Sequence, residues 1–406
     1  MNFEFMPKEL PSIIKVIGVG GGGSNAVNHM YKLGIRGVDF VVCNTDAQAL
    51  EMSPVPRKIQ LGPSLTEGRG AGSIPEVGKQ SAIENIDELK AILSDNTKMV
   101  FITAGMGGGT GTGAAPIIAG VAREMGILTV GIVTVPFAFE GRKRKQQADA
   151  GIEELKNSVD TLLIICNDKL REIHGNLKLN TAFGYADNVL ATAAKSIAEV
   201  ISVTLHINVD FADVQTVMRD SGVAIMGAAQ SSGEGRAIRA AELALDSPLL
   251  NDNNIEGARH ILLNITSGKE EITMDEMGDI TDYIQQKAGQ TAEIIMGVGT
   301  DDSLGDKISV TIIATGFNAN KEKAKEEKVK QPEKIILKMY DETPTSVVNE
   351  VTDTHVEEKP VVNEPVLITL EQEIPVTSTE FFEKDNTPEQ TVADNSTMEF
   401  ESTGFP

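Results

Sequence analysis

Cysteine, tryptophan and long apolar runs are scarce in this sequence of 406 residues, which contains two cysteines and no tryptophan. Cys43 and Cys166 each lie in an apolar, strand-like run without CxxC spacing, so we expect buried free thiols in a reducing compartment rather than a disulfide. No stretch approaches the ~20 apolar residues of a membrane-spanning helix, and residues 1–10 lack the basic and apolar regions of a signal peptide. We therefore expect a cytoplasmic protein that does not insert directly into a membrane.

Positive charge is also in short supply. The chain has 36 Lys and Arg residues against 59 Asp and Glu residues, which gives a formal net charge of −23. Such a balance argues against a nucleic-acid groove, because a groove of that kind depends on clustered basic side chains. Residues 341–406 contain 16 acidic and 2 basic side chains, so the rest of the chain is only mildly acidic. The length suffices for two domains followed by a tail.

Glycine is abundant, and one glycine-rich segment is the most informative feature of the sequence. The segment Gly105–Gly113 has six glycines in nine residues, follows the apolar run Met99–Ile102 and precedes a helix-like stretch over 114–125. A strand that feeds a glycine loop and then a helix brings several backbone N–H groups and a positive helix end together. We interpret this loop as a phosphate cradle; a flexible loop or tight turn without a ligand is the less favoured alternative.

A second glycine loop lies near the start of the chain. The apolar run over 13–19 reads as a buried strand, and the segment Gly20–Asn25 leads into a helix expected to begin near Ala26. The spacing GxGxxG over 18–23 is typical of dinucleotide sites, and Asp46 could be the acid that binds ribose, although it falls late for that role. The second, richer loop at residue 105 argues against a dinucleotide domain, which does not need it.

Strands alternate with helical stretches in the first part of the chain. Strands are predicted at 127–135 and 161–166, with helical stretches between them, which indicates a parallel sheet covered by helices and a ligand at the carboxyl ends of the strands. A third glycine-rich turn, Glu67–Gly72, lies between the two glycine loops. Neither this turn nor the Gly78–Ser81 segment matches the spacing of a P-loop, so no P-loop lysine is available.

The motif GGGTGTG at Gly107–Gly113, within AGMGGGTGTGAAP, is similar to the signature of the tubulin/FtsZ family. The resemblance covers roughly residues 12–317. It is specific, because several separated motifs agree in order along the chain. It implies a GTPase that uses GTP or GDP and Mg²⁺, with the metal held through phosphates and water. It also implies head-to-tail polymerisation into filaments that form the bacterial division ring at mid-cell.

The resemblance implies a set of nucleotide-binding residues in the three glycine-rich segments, and it implies that the segment after residue 67 closes over the terminal phosphate. These residues are Gly21, Gly22, Gly23, Ser24, Asn25, Gly70, Ala71, Gly72, Gly107, Gly108, Gly109, Thr110 and Gly111.

Five further residues are assigned to the nucleotide by resemblance. The FEGxxR pattern implies that Glu140 and Arg144 contact the sugar and phosphates, while the rest of the basic run over 142–145 is solvated. Asn167 is placed beside the base, although its NDKL tetrad reads as a loop after a strand and does not match an NKxD motif. Asp187 can accept from N1–H and N2–H of guanine, and Phe183 can stack on the base; without the family, Phe183 would be a core residue.

Two carboxylates further along the chain are candidates for catalysis. Asp210 and Asp213 lie three apart at a predicted helix start, where N-capping is the simpler interpretation. The segment NVDFADV resembles the family's synergy loop, which implies that this pair acts on the nucleotide of the neighbouring subunit. An NAD-type oxidoreductase and a nucleotide-bound scaffold that does not hydrolyse are the rival functions.

The predicted organisation is an α/β chain with a Rossmann-like parallel-sheet GTPase domain, a long central helix and a smaller α+β domain. We expect a helix over 214–225 in the smaller domain. The linker and tail, rich in Pro, Glu, Thr and Val, are predicted to be disordered. The resemblance implies that division proteins and membrane tethers bind the tail, but the last residues lack the usual basic side chains. The predicted segments are a flexible 1–12, a GTP-binding domain at 13–182, the helix at 183–205, the second domain at 206–317 and the tail at 318–406.

Overall fold

The computed structural model describes residues 12–317, apart from 36, 176–177, 203–206, 208 and 247–254. The predicted flexible segment before residue 12 and the predicted disordered tail at 318–406 lie outside the described residues. Across the part of the chain that is described, no helix is both long enough and apolar enough to cross a membrane. Both cysteines are free; Cys43 is buried and Cys166 is partly buried.

Six strands, buried over most of their length, form a parallel sheet in the order β3-β2-β1-β4-β5-β6. The chain therefore builds outward in both directions from the junction of the first and fourth strands, and this junction is the topological switch point where open α/β sheets bind ligands. The strands are β1 (Ile14–Val19), β2 (Asp39–Asn44), β3 (Arg57–Gln60), β4 (Met99–Gly105), β5 (Leu128–Val135) and β6 (Thr161–Cys166).

Helices cover both faces of this sheet and bury two separate apolar cores. The first, ninth and tenth helices pack on one face, and the fourth to seventh pack on the other. The helices are α1 (Gly20–Lys32), α2 (Ala47–Glu51), α3 (Pro63–Thr66), α4 (Pro75–Glu84), α5 (Ile86–Leu93), α6 (Thr110–Glu124), α7 (Arg142–Ser158), α8 (Asn167–His174), α9 (Leu179–Ser202) and α10 (Phe211–Met218).

The second domain continues the sheet through one shared strand, β7. Its first residues pair in parallel with β6, and the rest pairs antiparallel with β10, which in turn pairs with β8. Two helices and the sheet enclose a third core, so the predicted combination of an α/β domain, a long helix and a smaller α+β domain is confirmed. The elements are β7 (Gly222–Ser232), α11 (Arg236–Leu245), β8 (His260–Ser267), α12 (Met274–Ala288), β9 (Glu293–Thr300) and β10 (Lys307–Thr315).

The helices after the glycine loops begin earlier than the sequence predicted. The first helix begins at Gly20 instead of near Ala26, and α6 begins at Thr110 instead of residue 114. Glycine is a poor helix former, so the sequence favoured longer loops. Tertiary packing explains the difference, because a Cβ atom built on Gly23 would lie 2.2 Å from the Thr103 carbonyl oxygen.

Two other local predictions were wrong. The segment beginning at Asn167 was expected to be a loop, but it is the first turn of α8. The helix predicted over 214–225 ends at Met218, and β7 begins at Gly222. The small residues of this strand resemble a helical sequence, but they allow α11 to lie directly on it: a Cβ atom at Gly227 would be 1.9 Å from the carbonyl oxygen of Ala244.

Candidate functional site

The two glycine loops meet at the switch point of the parallel sheet. A Cβ atom built on Gly22 would lie 3.0 Å from the Cα of Gly105, and one on Gly20 would lie 2.7 Å from the amide nitrogen of Gly111. Two helix N-termini, those of α1 and α6, therefore open side by side at one edge of the sheet. Their unpaired N–H groups make this edge suitable for an anion such as a phosphate chain.

The glycines of this cradle fall into two groups. Those at 18, 20, 23 and 111 would place a side chain against neighbouring backbone, so packing requires glycine there. Gly21 and Gly108 face open space, with no atom within 4 Å of a Cβ at either position. Packing within the protein therefore does not require glycine at these two positions, and the absence of a side chain leaves the backbone open to a ligand.

The β4–α6 loop turns sharply at Gly107. Its φ of +95° lies in the left-handed region, and its N–H donates to Oγ1 of Thr112 over 2.8 Å. A Cβ atom at this position would also lie 2.8 Å from the Arg144 carbonyl oxygen. The turn thus brings the cradle next to the start of α7, where the FEGxxR residues lie.

The segment Glu67–Gly72 packs over the cradle on the other side. A Cβ atom built on Gly109 would lie 2.9 Å from the Cβ of Ala71 and 3.2 Å from its carbonyl oxygen, so the two segments pack closely. Gly70 and Gly72 have φ values of +87° and +58°, which glycine adopts without strain. This segment is therefore placed to close over the end of a phosphate chain.

Glu140 and Arg144 are paired with each other across one helical turn. The Arg144 Nη1 atom donates to Oε2 of Glu140 over 2.6 Å, and the Phe137 N–H donates to Oε1 of the same carboxylate over 2.9 Å. Glu140 is mostly buried, whereas Arg144 is half-exposed. The other basic residues of this run, Arg142, Lys143 and Lys145, are exposed.

Aromatic rings and a buried amide lie at the far end of the site. The Phe183 ring, 39% exposed, meets the Phe137 ring edge to face at 5.4 Å between centroids. Phe183 is therefore not a core residue, the alternative that the sequence left open. Asn167 is 4% exposed, and its neighbour Asp168 accepts a hydrogen bond from the Ala138 N–H over 3.1 Å.

Asp187 lies beside α1, one turn after Phe183 on the same helix, α9. Burial raises the pKa of the Asp187 carboxyl to about 6, and the nearby His29 acts in the opposite direction. The neighbouring Asn188 Oδ1 lies 3.5 Å from Nε2 of His29, which fixes α9 against α1 at this point. A carboxylate whose ionised form is disfavoured by burial is suited to a ligand that supplies hydrogen-bond donors.

Two buried oxygen atoms at the site have no hydrogen-bond partner in the structure: Oγ of Ser24 and Oδ1 of Asn167. Buried polar atoms are nearly always paired, so both atoms are available to a ligand, one in the first turn of α1 and the other in the first turn of α8. A nucleotide therefore fits the residues present. No group of three or more His, Cys, Asp or Glu side chains in the described residues could hold a metal ion.

Asp210 and Asp213 lie away from these residues. Asp213 N–H donates to Oδ1 of Asp210 over 2.8 Å, and Asp210 N–H donates to Oδ2 of Asp213 over 3.2 Å, so the two carboxylates form the capping box of α10. Both carboxylates therefore take part in N-capping, as the simpler interpretation predicted. A carboxylate has about four acceptor positions, so capping leaves acceptor capacity for a further role.

The helix that the Asp pair begins ends at the opposite edge of the parallel sheet. Thr161, the first residue of β6, donates its hydroxyl proton to the Met218 carbonyl oxygen, and Gly222 N–H donates to Asp160 O over 3.0 Å. The cradle lies at the carboxyl edge instead. From Phe183 to Ser202, helix α9 carries the chain roughly 30 Å.

The sequence missed three residues of the site. Phe137 contacts the Phe183 ring, and His29 lies beside Asp187. Thr45 contacts both the cradle and the segment over it. None of the three stood out in the sequence, because each is a common residue whose role depends on a neighbour distant in sequence.

The fold and site together define the class of tubulin-like GTPases. The model of the Tubulin/FtsZ family, GTPase domain, matches residues 13–175, and the model of the FtsZ family, C-terminal domain, matches residues 222–318.

Named relatives agree with this class. The cell division protein FtsZ of Pseudomonas aeruginosa is 52% identical over 313 residues, which cover 77% of this chain and 79% of that protein. The FtsZ of Porphyromonas gingivalis is 49% identical over 320 residues, which cover 78% of this chain and 70% of that protein. The chain therefore belongs to the tubulin/FtsZ family of GTPases, among its FtsZ members.

Solved structures show the same fold. An empty FtsZ dimer of M. jannaschii superposes with a TM-score of 0.72 at 40% identity, covering 77% of this chain and 90% of that one. The GDP-bound CetZ1 monomer of Haloferax volcanii superposes with a TM-score of 0.65 at 21% identity, covering 78% of this chain and 99% of that one.

The two groups of cradle glycines predict opposite effects of adding one methyl group. Gly21→Ala and Gly108→Ala should not lower the unfolding temperature of the nucleotide-free protein, because their Cβ atoms meet no protein atom. Each should weaken nucleotide binding by about 10-fold or more, since the methyl group holds a phosphate off the backbone. Calorimetric titration and thermal unfolding measure both effects.

Gly23→Ala is the matched control, because its Cβ would lie 2.2 Å from Thr103 O. This variant should unfold at a clearly lower temperature. Full nucleotide affinity in Gly21→Ala and Gly108→Ala would show that the open space at these positions is not where the phosphates lie.

Proposed function

We propose that the chain binds and hydrolyses GTP and polymerises head to tail into filaments of the bacterial division ring. One observation carries the proposal: the nucleotide cradle lies at the carboxyl edge of the parallel sheet, whereas the helix that Asp210 and Asp213 begin ends at the opposite edge. Stacking one subunit on the next brings these edges together, and such a heterologous contact repeats without closing.

The phosphates would bind to the N-termini of α1 and α6, with the Glu67–Gly72 segment over the terminal phosphate. Glu140 would hold the ribose, and Arg144 would contribute positive charge to the phosphates once it exchanges part of its ion pair with Glu140. Mg²⁺ would bind through phosphate oxygens and water, where it would neutralise charge that develops during phosphoryl transfer.

The base would lie between Asn167, Phe183 and Asp187. An exposed aromatic ring can stack on any base, but a carboxylate selects guanine, whose N1–H and N2–H both donate. Adenine would leave the partly buried carboxylate without donors at these positions, which costs about 1–3 kcal/mol or more.

Hydrolysis would be completed by the neighbouring subunit. Water must be oriented and deprotonated for attack on the terminal phosphate, and carboxylates perform this role in other phosphoryl-transfer enzymes. Asp210 and Asp213 have this chemistry, but α9 alone separates them from their own base end by roughly 30 Å. They can therefore act only on the nucleotide of the next subunit, so hydrolysis would depend on assembly.

The main partner is another copy of the chain. Division proteins and membrane tethers would bind through the tail, and the protein would work in the cytoplasm at the mid-cell division site. The tail lies outside the described residues, so this part rests on the resemblance and on the names of the relatives.

Asp187→Asn should lower the affinity for nucleotide and raise the stability of the nucleotide-free protein. Without the carboxylate, we expect GTP affinity to fall by about 10- to 100-fold, because one of the two guanine donors loses its acceptor. The nucleotide-free variant should be more stable than the parent at pH 7.5. The carboxyl pKa is about 6 in the folded protein against 3.8 for an unperturbed aspartate, so ionisation opposes folding.

The pH dependence checks the sign of this effect. The stability advantage of Asp187→Asn should be full above pH 6, shrink between pH 6 and 4, and vanish below pH 4. Asp149→Asn, at an exposed carboxylate on α7, is the matched control and should change neither property. Unchanged GTP affinity in Asp187→Asn would refute the guanine assignment.

A mixture of two inactive variants tests the shared site. Asp213→Asn keeps a side-chain oxygen for the capping box but removes the charge, so it should fold, bind GTP and hardly hydrolyse it. Asp187→Asn should bind GTP poorly and keep an intact Asp pair. In mixed filaments, GTP on the first variant meets the intact pair of the second, so the GTPase rate should exceed the sum of the separate rates.

The parent protein provides a second test of the shared site. Its turnover per subunit should rise more steeply than linearly with concentration near the assembly threshold. An additive mixture, together with turnover independent of concentration, would place all catalytic groups within one chain and refute head-to-tail catalysis.

A further inference from the structure

Thr45 follows β2 at the same edge as the glycine cradle and is fully buried. Its Oγ1 atom lies 2.6 Å from Oγ1 of Thr110, the first residue of α6, which is 9% exposed. This short distance joins two hydroxyl groups that are 65 residues apart in the sequence. Thr110 belongs to the cradle, whereas Thr45 has no assigned role.

The backbone of Thr45 also holds the segment that lies over the cradle. Its carbonyl oxygen accepts from Gly70 N–H over 3.2 Å and lies 3.3 Å from the Thr66 hydroxyl, whose nearer acceptor is the Gly62 carbonyl oxygen at 3.0 Å. The next residues continue the attachment, since Ala47 N–H donates to the Gly68 carbonyl oxygen over 3.0 Å. Thr45 is thus bonded on one side to the segment and on the other to the first turn of α6.

The hydrogen bond between the Thr45 and Thr110 hydroxyl groups can run in either direction, and a ligand can determine which of the two donates. Each hydroxyl has one proton, so only one of the two donates along the 2.6 Å contact. If Thr110 donates to Thr45, it has no proton left for a ligand. If Thr45 donates, Thr110 is free to donate to a phosphate oxygen, and a charged acceptor makes that bond the stronger one.

We propose that Thr45 is a positioning residue that couples the Glu67–Gly72 segment to Thr110, so that both respond together to the terminal phosphate. This inference rests on the proposed function, since it takes the terminal phosphate to lie between that segment and the cradle. The inner phosphates are held by the glycine backbones and do not need Thr45. The residue therefore determines how strongly the site prefers GTP to GDP.

Thr45→Val tests this role, because it removes the hydroxyl and keeps the shape of the side chain. In the full-length protein with Mg²⁺, calorimetry should show GTP affinity reduced by about 10-fold and GDP affinity changed by less than about 2-fold. Thr45→Ser retains the hydroxyl and should restore GTP affinity to within about 3-fold of the parent. In steady state, Thr45→Val should raise KM for GTP more than it lowers kcat.

Thr103→Val is the matched control. Thr103 is also fully buried and lies in β4, which leads into the cradle, but its Oγ1 has no hydrogen-bond partner. Its replacement should leave the GTP to GDP affinity ratio at the parent value. Thr45→Ala removes the same hydroxyl without a methyl group against Thr110, and it should give the same reduced ratio as Thr45→Val.

Two results would overturn the inference. If both Thr45→Val and Thr45→Ala weaken GTP and GDP binding equally, Thr45 only supports the fold. If both keep the parent ratio, the hydroxyl pair plays no part in sensing the terminal phosphate. A parent protein that binds no GTP at all would overturn the proposed function as well, so the two failures are distinguishable.

Discussion

The contact between two glycine-rich helix starts at the centre of the parallel sheet is the constraint on which the site depends. Gly22 and Gly105 approach so closely that a side chain at Gly22 would press on the backbone of Gly105. The approach brings two sets of unpaired N–H groups to one edge, and glycine is required for it in both segments. The remaining nucleotide-binding candidates, from Glu140 to Asp187, are then arranged around this edge by the loops and helices that follow β5 and β6.

In the proposed function, the same topology separates the residues that bind the nucleotide from those that complete hydrolysis. Helix α9 starts near the base end and carries the chain away from the cradle, and α10 ends at the first residue of β6. The Asp pair lies at the other end of α10, where the two carboxylates form its capping box; Asp210 is exposed and Asp213 is partly exposed. Under the proposed function, such an enzyme would bind GTP as a single subunit and would need a second subunit to hydrolyse it.

Much of this arrangement could be predicted from sequence where local patterns determine it. Glycine density, apolar strands and the alternation of elements predicted the parallel sheet and the edge where the site lies. The helix starts at Gly20 and Thr110 and the strand at Gly222 were mispredicted, because contacts with distant backbone override local propensity at those points. Thr45 was missed for a related reason, since its role exists only through bonds to Thr110 and Gly70.

The central claim is that one GTPase site is built from two subunits. A structure of filaments assembled with a slowly hydrolysed GTP analogue, determined by electron cryomicroscopy, tests it most directly. We predict that the Asp210 or Asp213 carboxylate of one subunit lies within about 5 Å of the neighbour's terminal phosphate, close enough to hold one water molecule between them. Filaments in which both carboxylates lie far from every nucleotide, or in which subunits do not stack head to tail, would contradict this claim.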